Sequence, residues 1–103
     1  MKKINILYTG RHPEILETVV RLINNNDNWA GYGAGSDEET IELFRKTDFD
    51  IVLLGCGISK ESEALLRQFF AEHNPECKIV QHYGGGSGLL TSEILMALNN
   101  AVA

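Results

Sequence analysis

The chain has little cysteine, no excess of basic residues and no long apolar run, and each shortage excludes a class of protein. Its two cysteines, Cys56 and Cys77, are too few and too far apart for a disulfide framework or a zinc ribbon, so we expect two reduced thiols. A formal net charge of −5 provides no basic face for nucleic acid. No apolar run approaches the roughly 18 residues of a membrane span. We therefore expect a cytoplasmic protein that contacts neither nucleic acid nor a membrane.

What the chain does contain is a set of short apolar segments that alternate with helical patterns. With 103 residues, it is predicted to form a single domain over residues 1–103. The most apolar segment is 51–54, which lies between Asp50 and Gly55. Four consecutive apolar residues are typical of a strand buried on both faces, as in the middle of a parallel sheet.

The remaining segments complete a strand–helix alternation. Further strands are predicted at 4–8, 29–34 and 77–83. Helices are predicted at 13–23, at 60–73 and from about 88 onwards, and a short helix that carries Ile41 and Phe44 is predicted to open after Ser36. Ser36 and Ser59 are predicted helix caps. Gly31 and Gly33 weaken the second strand, which favours a position at the sheet edge. The order β-α-β-α-β-α-β-α predicts a parallel sheet with right-handed crossovers. In the third helix, we expect Leu65, Leu66, Phe69 and Phe70 to share the buried face.

Three segments resemble the receiver domain of two-component response regulators. The segment 12–16 looks like the start of that domain's first helix, 37–44 looks like its second helix, and 49–54 looks like the approach to its phosphorylation site. The resemblance covers residues 3–83. It implies a flavodoxin-like, three-layer α/β/α fold with a four-stranded parallel sheet in the order 2-1-3-4. Only one helix fits after Tyr83, so we expect the usual fourth helix and fifth strand to be missing, which would leave the fourth strand at an edge.

The functional residues of receivers are not preserved. Gly10 and Arg11 stand where receivers carry two acidic residues that hold Mg²⁺, and Gly55 stands where an Asp accepts the phosphoryl group. Tyr83 matches a Ser or Thr that contacts this group, and the usual Lys of the fifth strand has no counterpart. Phosphoryl transfer depends on the metal and on positioning, and Mg²⁺ requires oxygen ligands. We expect no receiver-type phosphorylation, no catalytic residue, no metal and no cofactor.

Three other features remain as candidate sites. The glycine-rich run before the last helix could bind an anion, or could simply be a flexible connection; its residues are Gly84, Gly85, Gly86 and Ser87. Cys56 follows the central strand near a helix start, where a thiolate can be activated, although a packed loop residue is the plainer interpretation. The exposed fourth strand and the last helix predict a homodimer or a complex with a protein partner. Its contact residues are predicted to be Tyr83, Leu90, Ile94 and Leu98.

The sequence therefore favours a non-phosphorylatable, receiver-like module that acts through protein contact in signalling. A small anion- or nucleotide-binding protein that uses the loops at the strand carboxyl ends is the alternative. An enzyme that depends on Cys56 is a third hypothesis.

Overall fold

Four strands and three helices alternate along the described part of the chain. The structure is a computed structural model, and it describes residues 3–55 and 57–81 together with Ile94 and Met96. The elements are β1 (Ile4–Thr9), α1 (Pro13–Asn24), β2 (Trp29–Ala34), α2 (Asp37–Lys46), β3 (Ile51–Leu54), α3 (Lys60–His73) and β4 (Lys78–Gln81). None of the described helices is long and apolar enough to cross a membrane.

The strands form one parallel sheet in the order β2-β1-β3-β4. This order confirms the predicted fold, including the edge position of the glycine-interrupted β2. All four residues of β3 are buried, as expected for a strand that is covered on both faces. In β4, by contrast, all four residues are only partly buried. The predicted strand at 77–83 begins one residue later than expected, at Lys78, and residues 82 and 83 lie outside the described residues.

Two hydrophobic cores lie on opposite faces of the sheet, which gives the three predicted layers. On one face, Val19 and Ile23 of α1 pack with Ile6, Ile51 and Leu53. Ile94 belongs to this same core and is fully buried, so residue 94 lies on the α1 side of the sheet. The other core is formed by α2, α3 and the opposite sides of the strands, and its members include Leu7, Phe44, Val52, Leu66 and Phe70.

One residue of the third helix departs from its predicted place. Leu66 and Phe70 are fully buried and Phe69 is partly buried, but Leu65 is 53% exposed. The prediction that Leu65 belongs to the buried face is therefore wrong. Successive residues are about 100° apart on a helix, so a core that centres on Leu66 and Phe70 turns position 65 toward solvent.

Each of the three described helices begins with a side-chain cap. The caps lie at the carboxyl ends of the strands. The hydroxyl of Ser36 accepts from the backbone N–H of Glu39 at 3.2 Å, and that of Ser59 accepts from Ser62 at 3.1 Å, as predicted. For α1 the cap is His12, whose Nδ1 accepts from Ile15 at 3.4 Å. The helix starts are therefore gathered around the loops that follow β1, β2 and β3.

Candidate functional site

The centre of the candidate site is the carboxyl end of β3, where Gly55 follows the strand. A Cβ atom at this position would overlap the phenol group of Tyr8. Tyr8 comes from β1, is 1% exposed and belongs to the core on the α1 side of the sheet. The space beside Gly55 is thus filled by an aromatic ring from the neighbouring strand.

The same ring also contacts the end of β1. A Cβ atom built at Gly10 would lie 3.0–3.2 Å from the Cε2, Oη and Cζ atoms of Tyr8. These distances are closer than ordinary van der Waals contact, so the two glycines fit around one phenol. Gly10 and Gly55 are also held in place by their backbones, since Gly10 donates to Ala34 and Gly55 donates to Thr9. Small residues at both strand ends therefore accommodate Tyr8.

Arg11 forms an ion pair with Asp37 in the first turn of α2. The other carboxylate oxygen of Asp37 accepts from the hydroxyl of Ser62, at 2.7 Å. Arg11 lies after β1, and Ser62 lies in the first turn of α3. One network therefore connects the loop after β1 to the starts of two helices, and it lies partly buried at the carboxyl ends of the strands.

The aliphatic part of Arg11 packs against the loop after β3. Gly57 has a positive φ of 83°, and a Cβ atom there would lie 2.8 Å from the Cβ of Arg11. Only glycine adopts this backbone conformation readily. In parallel sheets of this order, the crevice between the loops after β1 and β3 is the usual ligand position. At this place Tyr8 lies against Gly55, and Arg11 lies against Gly57.

One polar atom of this site has no partner among the residues that the structure describes. Nη1 of Arg11 is buried and makes no hydrogen bond there, while Nη2 is paired with Asp37. A buried, unpaired donor is costly, and in native proteins it calls for an explanation such as a bound ion or water. This atom is the feature of the site that best favours an anion.

The end of β1 carries a second buried hydrogen-bond network. The hydroxyls of Thr9 and Thr40 lie 2.8 Å apart, and Thr40 also donates to the carbonyl of Ser36 at 2.7 Å. Both threonines are fully buried. Thr9 therefore connects β1 to α2 and is enclosed, so its hydroxyl is not exposed for chemistry.

A shallow hollow of about 370 Å³ lies beside the site, between the loops after β1 and β2. Its lining includes Arg11, Gly10 and Gly35 together with two carboxylates, Glu17 and Glu39. Among the described residues, including those of this hollow, no group of three His, Cys, Asp or Glu side chains could hold a metal ion.

Of the two cysteines, Cys77 is among the described residues and is buried. Cys77 lies in the core between α3 and β4, and burial, with a smaller effect of Asp50, raises the pKa of its thiol to about 12. Such a thiol stays protonated and unreactive at neutral pH. Cys56 lies outside the described residues, as do the predicted anion-binding residues 84–87 and the predicted contact residues Tyr83, Leu90 and Leu98. Ile94, the remaining predicted contact residue, packs inside the core.

The sequence missed three residues of this site. Asp37 and Ser62 lie in the first turns of helices that follow β2 and β3, and parallel topology brings both turns to the edge that contains Arg11. Their proximity was therefore implicit in the predicted fold. Tyr8 gave no comparable signal, because an aromatic residue in a strand is equally typical of an ordinary core position.

Comparison with known proteins identifies the fold and nothing finer. No family model and no curated protein sequence matches the chain. Solved structures do match. One is the signal receiver domain of an HD domain-containing protein from Pseudomonas fluorescens Pf-5, with a TM-score of 0.73 and 14% identity over 98% of this chain and 95% of that one.

Two further structures show how widely this fold is shared. The non-phosphorylated receiver domain of the stress response regulator RcsB from Escherichia coli matches with a TM-score of 0.65 and 15% identity, over 93% of this chain and 76% of that one. The lactose-specific IIB domain of the phosphoenolpyruvate:carbohydrate phosphotransferase system from Streptococcus pneumoniae matches with a TM-score of 0.66 and 12% identity, over 98% of this chain and 96% of that one. The chain thus has the flavodoxin-like fold of response-regulator receiver domains, which it also shares with this IIB domain.

Proposed function

We propose that this chain is a receiver-like signalling module that accepts no phosphoryl group and acts through contact with protein. The observation that carries the proposal is the overlap between Tyr8 and any side chain at position 55. By the resemblance, position 55 corresponds to the Asp that accepts the phosphoryl group in receivers. Here the acceptor is missing, and the space in which it would act belongs to the hydrophobic core.

The charges at the site support the same proposal. Phosphoryl transfer to a receiver needs Mg²⁺ to neutralise the phosphoryl oxygens. Arg11 stands at one of the two positions where the metal-binding acids are expected, and its positive charge repels a divalent cation. Asp37, the nearest carboxylate in the network, is already bound by Arg11 and by Ser62. The site is therefore built to stay closed rather than to cycle between two phosphorylation states.

A domain that lacks this phosphoryl-transfer chemistry acts through its surface. In signalling, receivers of this fold work by presenting one face or another to a partner, and that role needs the scaffold rather than the acceptor. The described surface includes a partly exposed edge strand, β4, which is a structural feature suited to protein contact.

The test is treatment of the purified chain with acetyl phosphate and Mg²⁺, followed by intact-mass measurement. A conventional receiver treated in parallel serves as the positive control. We expect the control to gain a phosphoryl group and this chain to gain none. A phosphorylated fraction that depends on Mg²⁺ would overturn the proposal. Beryllium fluoride, which mimics the phosphoryl group on receivers, is expected to leave the thermal unfolding midpoint unchanged.

Anion binding at Arg11 is a second candidate function, and the unpaired Nη1 is the specific observation that favours it. A ligand at one hundred times its dissociation constant stabilises a protein by about 2.7 kcal/mol. Inorganic phosphate and nucleotides at millimolar concentration would therefore raise the unfolding midpoint measurably if they bind there. The matched variant is Arg11→Gln, which keeps a polar side chain. A shift that is equal in both proteins would place the anion elsewhere.

A further inference from the structure

The two edge strands of the sheet, β2 and β4, differ in the hydrogen bonds that the described residues make to their outward backbone groups. At the β2 edge, the side-chain amide of Asn24 contacts both backbone groups of Gly31: the N–H of Gly31 donates to Oδ1 at 2.8 Å, and Nδ2 donates to the carbonyl oxygen at 3.3 Å. The amide thus makes the pair of hydrogen bonds that a neighbouring strand would make. The middle of this edge strand is therefore already satisfied at Gly31, which makes the β2 edge a poorer template for another chain than an uncovered edge.

At the β4 edge, the outward backbone groups have no such cover among the described residues. The N–H of Lys78 donates to the carbonyl of Asp50 on the β3 side. In a parallel ladder the direction alternates, so Lys78 and Val80 face β3 while Ile79 and Gln81 turn their N–H and C=O groups outward. The side chain of Gln81 does not cover this edge either, since it reaches back to the carbonyl of Leu54 at 3.1 Å.

From this contrast we infer that the partner of the module is a second copy of the same chain, paired antiparallel through β4 across a two-fold axis. The inference rests on the proposed function and specifies its partner. The axis passes beside Val80, so that Val80 faces its own counterpart. Ile79 of each copy then pairs with Gln81 of the other, and the outward N–H and C=O groups form two hydrogen-bonded pairs. The edge is self-complementary in this register.

The helix next to this edge supports a two-fold partner. Phe69 of α3 contacts Phe44 and lies under the guanidinium of Arg45, so this side of α3 faces α2. Arg67 is two residues away, which is about 200° around the helix, so it lies on the side away from α2 and toward β4. Glu63, one turn earlier, is paired with it at 2.9 Å.

Geometry and charge across the axis agree with this arrangement. Strands in a sheet are about 4.8 Å apart, so a helix that covers β3 and β4 lies about 10 Å from its symmetry mate. That is the usual spacing of packed helices. The two α3 helices run antiparallel, so the acid–base order of Glu63 and Arg67 is reversed in the partner. Glu63 of each copy can then lie opposite Arg67 of the other copy. The neighbouring exposed residues Ala64 and Ala71 are small enough for a close approach.

The first measurement is sedimentation equilibrium of the full chain over a wide concentration range. We expect a monomer–dimer equilibrium. A monomer at every concentration would overturn the inference while leaving the proposed function intact, because the acetyl phosphate test does not depend on association. Conversely, a dimer that is phosphorylated would refute the proposed function and leave the interface standing.

The second measurement locates the interface by disulfide formation in a Cys56→Ser, Cys77→Ala background. Opposed residues in a non-hydrogen-bonded antiparallel pair have Cα atoms about 4.5 Å apart, which is within the roughly 4.4–6.8 Å range of disulfides. We expect Val80→Cys to give a covalent dimer on mild oxidation. Ala30→Cys, at a partly exposed position of the β2 edge, is the matched control and should stay monomeric. A dimer that cross-links through position 30 and not through position 80 would refute the β4 interface.

A charge at the axis gives an independent readout. Val80→Lys sets two like charges opposite each other, which destabilises strand pairing. We expect the dimer to dissociate at least tenfold more readily, and added salt to restore part of the loss. Ala30→Lys adds the same charge at the other edge and is expected to leave association unchanged. Equal effects of the two variants would contradict the inference, and circular dichroism checks that both are folded.

Discussion

The phenol ring of Tyr8 occupies the space into which any side chain at position 55 would extend. The two residues lie on neighbouring strands, with Tyr8 inside β1 and Gly55 directly after β3. One large and one absent side chain thus fill the strand end together. Neither residue can be exchanged alone without affecting the other.

We expect Gly55→Ala to destabilise the fold, because its methyl group would have to displace a fully packed ring. Overpacking of this kind typically costs about 1–3 kcal/mol. Tyr8→Leu removes the ring and costs stability by itself, since a buried aromatic side chain is lost. In the double variant the methyl group gains room, so the two costs should not add. Urea unfolding of the four proteins, followed by the fluorescence of the buried Trp29, gives the coupling free energy.

Gly35→Ala is the matched control for this cycle. The nearest neighbour of a Cβ at Gly35 is a flexible Glu39 oxygen at 3.6 Å, an ordinary contact. It should change the free energy of unfolding by no more than about 0.5 kcal/mol. A Gly55→Ala variant as stable as Gly35→Ala, or strict additivity with Tyr8→Leu, would show that the ring does not fill this space.

Gly57 is predicted to resist substitution for a different reason. Its φ of 83° is in the left-handed region, which costs an ordinary L-residue about 1–2 kcal/mol. Gly57→Ala adds a contact at 2.8 Å with the Cβ of Arg11. Asn tolerates this backbone conformation better, so Gly57→Asn should retain more of the backbone stability while meeting the same contact. A chemical denaturation series that ranks Asn below Ala would contradict the backbone argument.

The ion pair between Arg11 and Asp37 is predicted to matter more than the exposed pair on the same helix. Asp37→Ala leaves a partly buried guanidinium without its carboxylate and removes the partner of Ser62, a loss of about 1–3 kcal/mol. Glu42→Ala removes the exposed pair with Lys46, which solvent screens, so it should change stability much less. Thermal unfolding at low and high salt should distinguish them. Equal losses in the two variants would show that burial adds nothing at Asp37.

The layered fold could be predicted because its signals are local and mutually consistent. A run such as 51–54 has one interpretation when helical patterns flank it on both sides, and the caps at Ser36 and Ser59 fix where two helices begin. The edge position of β2 also followed from Gly31 and Gly33. These features depend on a residue and its sequence neighbours, which is why the strand order and the layers agree with the prediction.

The site was harder to predict because it depends on pairs that are distant in sequence. The resemblance predicts that Gly55 stands in place of the acceptor. The residue that fills the space beside Gly55 is Tyr8, which lies 47 positions earlier in the sequence. The hydrogen bonds between the Asn24 side chain and the Gly31 backbone likewise join two elements, α1 and β2. Leu65 shows the same limit on a smaller scale, since its exposure depends on where the neighbouring helix lies.

The thiol of Cys77 gives the last prediction, a specific dependence of stability on pH. Burial, helped by the nearby Asp50, raises its pKa from 9.0 to about 12 in the folded chain. Below pH 9 the thiol is protonated in both the folded and unfolded states and contributes no pH dependence. Between pH 9 and 12 the unfolded chain loses this proton while the folded chain retains it. The free energy of unfolding therefore falls as the pH rises, by up to about 1.4 kcal/mol per pH unit from this group.

Cys77→Ala should remove this component while lowering stability at neutral pH through the lost packing. The measurement is urea unfolding of the parent and the variant at pH 7.5 and pH 10.5, under reducing conditions. We expect the parent to lose more stability between the two pH values than the variant does. The difference between the two losses isolates Cys77, because lysines, tyrosines and the other thiol titrate in both proteins. Equal losses would mean that the folded thiol ionises as easily as the unfolded one, and iodoacetamide would then label Cys77 in the native chain at mildly alkaline pH.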